Sequence, residues 1–119
     1  LHLPLSDRTR NLIGPQELKR MPAGALLINT ARGEVVDSEA LRRGLESGWI
    51  AGAGLDVTDP EPLPADNPLW KMSNVIITPH VSAASPDSME RTAIIAAENL
   101  RRYVDGGYLL NVVDMKAGY

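Results

Sequence analysis

Cysteine is absent from the 119 residues. That excludes disulfides and thiolate metal sites, and it fits a reducing, cytoplasmic setting. Histidine occurs only twice, as His2 and His80. Two distant histidines without cysteine offer no spacing that suits zinc, so no metal site is expected. No apolar run approaches the ~20 residues needed to cross a bilayer, so no membrane partner is expected either. Positive charge is not in excess. The net charge is −3, which gives no electrostatic case for binding nucleic acid or an anionic membrane. The first residues lack a charged region followed by an apolar core, so no signal peptide is expected. The chain also lacks an initial Met. It opens on Leu1, and "LHLPLS" already reads as a strand running into a turn. Such a start suggests the middle of something larger; the alternative is a processed or tagged small domain.

What is present is ordinary for a soluble globular domain: 44% hydrophobic and 23% charged residues, in a length that suits one small domain. Short apolar runs alternate with helix-like segments. "LHL" (1–3) reads as a strand fragment ended by Pro4. "GPQELKRM" (14–21) reads as a short helix with Pro15 at its first position. "ALLIN" (25–29) is a continuous apolar strand. Asp37 is a good N-cap for a helix over 38–48, with Gly44 and Gly48 near its end. "IAGAGLDV" (50–57) is a glycine-thinned strand, and "NVIITPH" (74–80) is a β-branched one stopped at Pro79. Four prolines make 59–68 a rigid loop, neither helix nor central strand.

A longer helix follows, with Ser85 as N-cap, Pro86 at its first position and Asp87 at its positive end. Met89, Ala93, Ala96, Ala97, Leu100 and Val104 recur at helical spacing and give one apolar face. Gly106-Gly107 stops it, and "YLLNVV" (108–113) is a last extended stretch. Alternating strands and helices argue for an α/β fold of parallel βαβ units. Strands that are apolar throughout suit a sheet covered on both faces. The "GAG" at 52–54 is not a dinucleotide fingerprint, because it leads into a strand and not from a strand into a helix. Close packing of a neighbour explains it better.

In an open parallel sheet, ligands bind outside the carboxyl ends of the strands. Just past those ends stand His2 and Pro4, then Thr30, Ala31, Arg32 and Gly33, then Asp56, then His80. All fall on one edge of one sheet. Arg32 directly follows an apolar strand; it fits a solvated loop residue or a bidentate grip on a carboxylate equally well. A lone histidine such as His80 is more often structural than catalytic, and most loop glutamates such as Glu61 are merely solvated. A carboxylate set beside an imidazole orients the ring and favours its charged form, but sequence does not show that Glu61 and His80 meet. Asp56 is either a turn residue or a site residue.

Together, "LHLPLSDRTRNLIG", "MPAGALLINTARGEVVDSEAL", "GAGLDVTDPEPLP" and "NVIITPHVSAAS" resemble the D-isomer-specific 2-hydroxyacid dehydrogenases, in that family's order and over essentially the whole chain. The resemblance implies the second half of a Rossmann-like, doubly wound cofactor domain over 1–84, then a crossing helix and C-terminal extension over 85–119. The family's phosphate-binding glycine turn, its cofactor-selecting residue and most of its substrate domain lie outside the resemblance. By motif, Arg32 would grip the substrate carboxylate and polarise the keto oxygen. His80 would be the general acid/base, Glu61 its partner, and Asp56 a contact to the nicotinamide carboxamide. His2, Pro4, Thr30, Ala31 and Ser82 would join Arg32, Asp56 and His80 on the NAD or NADP side. Ser82 stands where many members have glycine, and Asp59-Pro60 replaces a commoner pair. The implied function is hydride transfer between NAD(P)H and a 2-keto or 2-hydroxy acid such as glyoxylate, hydroxypyruvate or a phosphoglycerate-like substrate, in a homodimeric parent. Two other readings are a dinucleotide-responsive, co-repressor-like binding module and a catalytically inactive isolated fragment.

Overall fold

The apolar run at 25–29 becomes a strand, and two more align beside it. The structure is a computed structural model and describes residues 1–117. Strands β1 (Leu26–Asn29), β2 (Gly52–Leu55) and β3 (Val75–Ile77) form one parallel sheet in the order β1-β2-β3. Helix α1 (Pro15–Arg20) precedes β1, and α2 (Ser38–Glu46) connects β1 to β2. Helix α3 (Ser88–Val104) follows the sheet. The chain divides into two compact units, Leu1–Val81 and Ser82–Tyr119.

Local chemistry sets these boundaries. Pro15 opens α1 as expected, and Glu17 Oε2 accepts the Gly14 N–H at 3.0 Å. Asp37 caps α2: its Oδ1 accepts the Ala40 N–H at 2.8 Å. Gly48, at φ +68°, stands just past the end of α2. Gly44 lies inside α2, where a methyl group would press on Trp49 at 3.3 Å and Leu18 at 3.6 Å. It therefore serves close helix approach and not termination. The glycines of β2 serve packing too: a side chain at Gly52 would meet the Asn74 carbonyl at 2.7 Å, and one at Gly54 the Ile28 side chain at 3.0 Å.

The core of the first unit lies between α1, α2 and one sheet face. Leu18, Leu27, Ala40, Leu41, Leu45, Ile50, Ala53 and Leu55 are all buried there. The other face differs from the expectation of cover on both sides. Along β1, exposure alternates, and Leu26, Ile28 and Ile76 remain 67%, 52% and 72% exposed. No helix of this unit crosses that face. "LHL" is also not a strand. Its main chain reaches β1 through the Leu1 amino group on the Ile28 carbonyl, at 2.5 Å, and one such bond makes no ladder.

In the second unit, α3 begins at Ser88, later than the Ser85–Asp87 signals suggest. Residues 85–88 instead close a turn, with the Ser88 N–H and hydroxyl both donating to the Ser85 carbonyl. Glu98 binds Arg101 at 2.9 Å and Arg102 at 2.6 Å, which holds its carboxyl down at about 2. These pairs are solvated and add little stability. Gly106 turns the chain at φ +69°. The stretch 108–113 forms no strand; Leu110 is tied back to α3 by both polar atoms of the Asn99 amide, at 2.7 and 3.1 Å. Met89, Leu100 and Val104, on the apolar face of α3, are all exposed.

Replacing Asp37 by alanine removes the cap of the helix that covers the core, and should cost ~1 kcal/mol of stability. Urea unfolding measures it; an unchanged midpoint would contradict the capping role.

Candidate active site at the carboxyl edge of the sheet

Register creates the site. Asn29 lies opposite Leu55, and Leu55 opposite Ile77. Thr30, Asp56 and Thr78 are therefore the first residues past three adjacent strands, all on one edge.

The β1 exit is held from inside. Asn29 is only 1% exposed. Its Oδ1 accepts the Ala31 N–H at 3.1 Å, its Nδ2 donates to the Arg32 carbonyl at 2.9 Å, and its own carbonyl accepts the Asp56 N–H at 2.9 Å. A buried polar group with every partner in place fixes geometry. Arg32 leaves this turn with its side chain exposed, and Nη1 donates to the Ala31 carbonyl at 2.7 Å. Ala31 itself is buried, so it offers the edge main chain more than side chain.

Gly33 then explains how a distant loop arrives. Its φ is not left-handed, so it is not there to turn the chain by backbone freedom. A methyl group at Gly33 would collide with the Thr58 carbonyl and lie 2.6 Å from the Asp59 nitrogen. Only glycine lets the two backbones touch. That contact seats the 58–62 loop beside Arg32.

The loop presents Glu61 to His80. Glu61 Oε1 lies 2.7 Å from His80 Nδ1, and Oε2 accepts the Thr58 N–H at 3.3 Å. Both side chains are about two-fifths exposed, at 43% and 44%. The bond to His80 holds the Glu61 carboxyl below the usual carboxylate range, helped by the Thr58 N–H, the His80 charge and the Arg32 charge. The charge of Arg32 thus reaches the Glu61 carboxylate across the edge. Beneath them Asp56, 5% exposed, accepts the Thr78 hydroxyl at 2.5 Å and the Val81 N–H at 2.9 Å on one oxygen. Asp56, Glu61, Trp70, Thr78 and His80 line a cavity of about 340 Å³.

On the β1 side, His2 Nδ1 lies 3.3 Å from the Thr30 hydroxyl. Pro4 stands in the following turn, its carbonyl accepting the Thr9 hydroxyl at 2.8 Å. Ser82 is the first residue of the second unit. Among the described residues no three of His, Asp and Glu gather in a way that could hold a metal, and no helix is long and apolar enough to cross a membrane. Two residues that sequence reasoning passed over prove structural to the site: Asn29 and Thr78. Asn29 carried a signal, as the one polar residue in the run "ALLIN".

Residues 1–82 match the family model for the D-isomer specific 2-hydroxyacid dehydrogenase, NAD binding domain. A glyoxylate reductase of Korarchaeum cryptofilum (strain OPF8) is 47% identical over 116 residues, covering 98% of this chain and 35% of that protein. The crystal structure of a D-isomer specific 2-hydroxyacid dehydrogenase from Xanthobacter autotrophicus Py2, in complex with NADPH and MES, is similar at a TM-score of 0.92 and 46% identity. That match covers 99% of this chain and 48% of the other. An NADPH-dependent glyoxylate/hydroxypyruvate reductase from Sinorhizobium meliloti, in complex with NADP and sulfate, gives a TM-score of 0.91 at 32% identity, covering 99% and 38%. The chain spans about a third of the length of the curated relatives it matches.

Because His80 binds its ionised form, Glu61 should titrate below the ~4.3 of an unperturbed glutamate. A carboxyl depressed by folding contributes stability above its unfolded pKa, and that contribution is lost as pH falls through the folded value. Carboxyl carbon NMR across acid pH reads the midpoint; one at or above the unperturbed value would contradict the pair.

Proposed function

This chain belongs to the D-isomer-specific 2-hydroxyacid dehydrogenases, and from that premise we propose that the whole protein reduces a small 2-keto acid, of the glyoxylate or hydroxypyruvate kind, with NADH or NADPH. The carrying observation is the 2.7 Å Glu61–His80 pair on the same strand edge as Arg32. The substrate class follows the activities for which the similar glyoxylate and glyoxylate/hydroxypyruvate reductases are named.

The residues fit a nicotinamide cofactor. The edge offers a carboxylate, a hydroxyl and an imidazole from Asp56, Thr30 and His2, groups that suit a carboxamide and ribose hydroxyls. With Pro4, Ala31 and Ser82 these would hold the nicotinamide end. When bound, the cofactor supplies the hydride.

The chain's own residues do the rest. Arg32 takes the substrate carboxylate in its planar fork and places positive charge beside the keto oxygen, where negative charge develops. Glu61, a carboxylate at neutral pH, holds His80 by Nδ1. The proton that goes to the keto oxygen is then the one on His80 Nε2. In the reverse direction the same nitrogen takes the proton from the hydroxy acid. A cytoplasmic setting and a homodimeric whole protein belong to the same proposal, on the family resemblance alone.

In the whole protein, His80→Asn should lower kcat by ~10²–10⁴ and leave NADH affinity within a few-fold; near-normal turnover would contradict the role of His80. The 119-residue chain alone should not reduce glyoxylate, since part of a cofactor site does not pre-organise a dinucleotide. Steady NADH consumption by the pure chain would overturn that.

A further inference from the structure

The geometry points to Thr78 as a positioning residue, whose hydroxyl aims the Asp56 carboxylate so that His80 is held against Glu61. The inference rests on the acid–base role proposed for His80. His80 has φ +55°, the left-handed region. A residue with a side chain keeps that conformation only where its surroundings impose it. The surroundings here are specific. One buried oxygen, Asp56 Oδ1, accepts the Thr78 hydroxyl at 2.5 Å and the Val81 N–H at 2.9 Å. Those two residues flank Pro79-His80. The turn closes on itself through the His80 N–H and the Thr78 carbonyl, at 3.1 Å.

The main chain of Thr78 is fixed independently, its N–H donating to the Leu55 carbonyl at 2.9 Å. Strand β3 therefore does not need the hydroxyl. Thr78 is also exposed, and valine would serve as well in shape and in strand preference. What valine lacks is the hydroxyl donor that shares Asp56 Oδ1 with the Val81 N–H. Without it, Oδ1 no longer points at Val81, the turn is secured at one end only, and His80 relaxes toward commoner backbone angles. The imidazole then leaves Glu61.

The test uses the whole protein, with Thr78→Val and Thr78→Ser each made in the native and the His80→Asn backgrounds. Glyoxylate reduction gives kcat and KM, and cofactor binding is read by fluorescence. Thr78→Val should lower kcat by ~10–10²-fold, with KM and cofactor Kd each within ~3-fold. Thr78→Ser should restore kcat to within ~2-fold. In the His80→Asn background Thr78→Val should cost nothing further. A native kcat for Thr78→Val, an equal loss in both backgrounds, or no rescue by serine would overturn the inference. Normal turnover by His80→Asn alone would instead sink the catalytic reading, and a crystal structure of Thr78→Val then decides the positioning. The inference expects the His80–Glu61 separation to open beyond ~3.5 Å; an unchanged 2.7 Å pair refutes it. If Thr78→Val does not fold, Thr78→Ala takes its place with the same outcomes.

Discussion

The parallel register of three short strands is the constraint on which the rest depends. Asn29, Leu55 and Ile77 stand abreast, so the segments that follow them emerge at one level. A slip of one residue in any strand would turn its side chains to the opposite face and shift its exit loop. The register is held by burial on one side, where Leu27, Ala53 and Leu55 meet the helices, and by the small residues of β2. Gly52 and Gly54 admit the Asn74 carbonyl and the Ile28 side chain so closely that larger residues would push the strands apart.

On that platform two buried polar side chains govern the exits. Asn29 closes the turn that presents Arg32, and Asp56 closes the turn that presents His80. Burying a polar group is costly unless it is hydrogen-bonded, and both are. The backbone contact between Gly33 and Thr58–Asp59 then brings in Glu61 from a third segment. The exposed groups assigned to the chemistry, Arg32, Glu61 and His80, are thus each placed by something less exposed beneath them. Solvent reaches the groups that must meet a substrate, while the geometry is decided out of its reach.

Much of this was legible in the sequence. The alternation of apolar runs and helix signals implies the parallel α/β order, Asp37 marks the start of α2, and the rule that ligands gather at carboxyl strand ends points to Thr30, Arg32, Asp56 and His80. Other features were not legible, for identifiable reasons. Glu61 and His80 are 19 positions apart, and their meeting depends on a backbone contact that a single glycine permits. In a sequence, a glycine at 33 fits a turn as well as a close backbone approach. The apolar strands suggested cover on both faces, yet hydrophobicity does not say which element supplies the cover, and in the first unit one face stays open. Ser85, Pro86 and Asp87 were plausible starts for α3, but the Ser85 carbonyl closes a turn with Ser88 before the helix begins.

In the proposed reaction, Arg32 and His80 act on the same anionic keto acid. The most direct measurement is NMR of the whole protein, loaded with its dinucleotide and titrated with oxamate, a carboxylate that mimics a keto acid and is not reduced. The side-chain Nε–H of Arg32 and the ring signals of His80 should shift together and saturate with one Kd. Shifts confined to the separate cavity beside Ser38 and Arg42, with Arg32 and His80 unmoved, would contradict it.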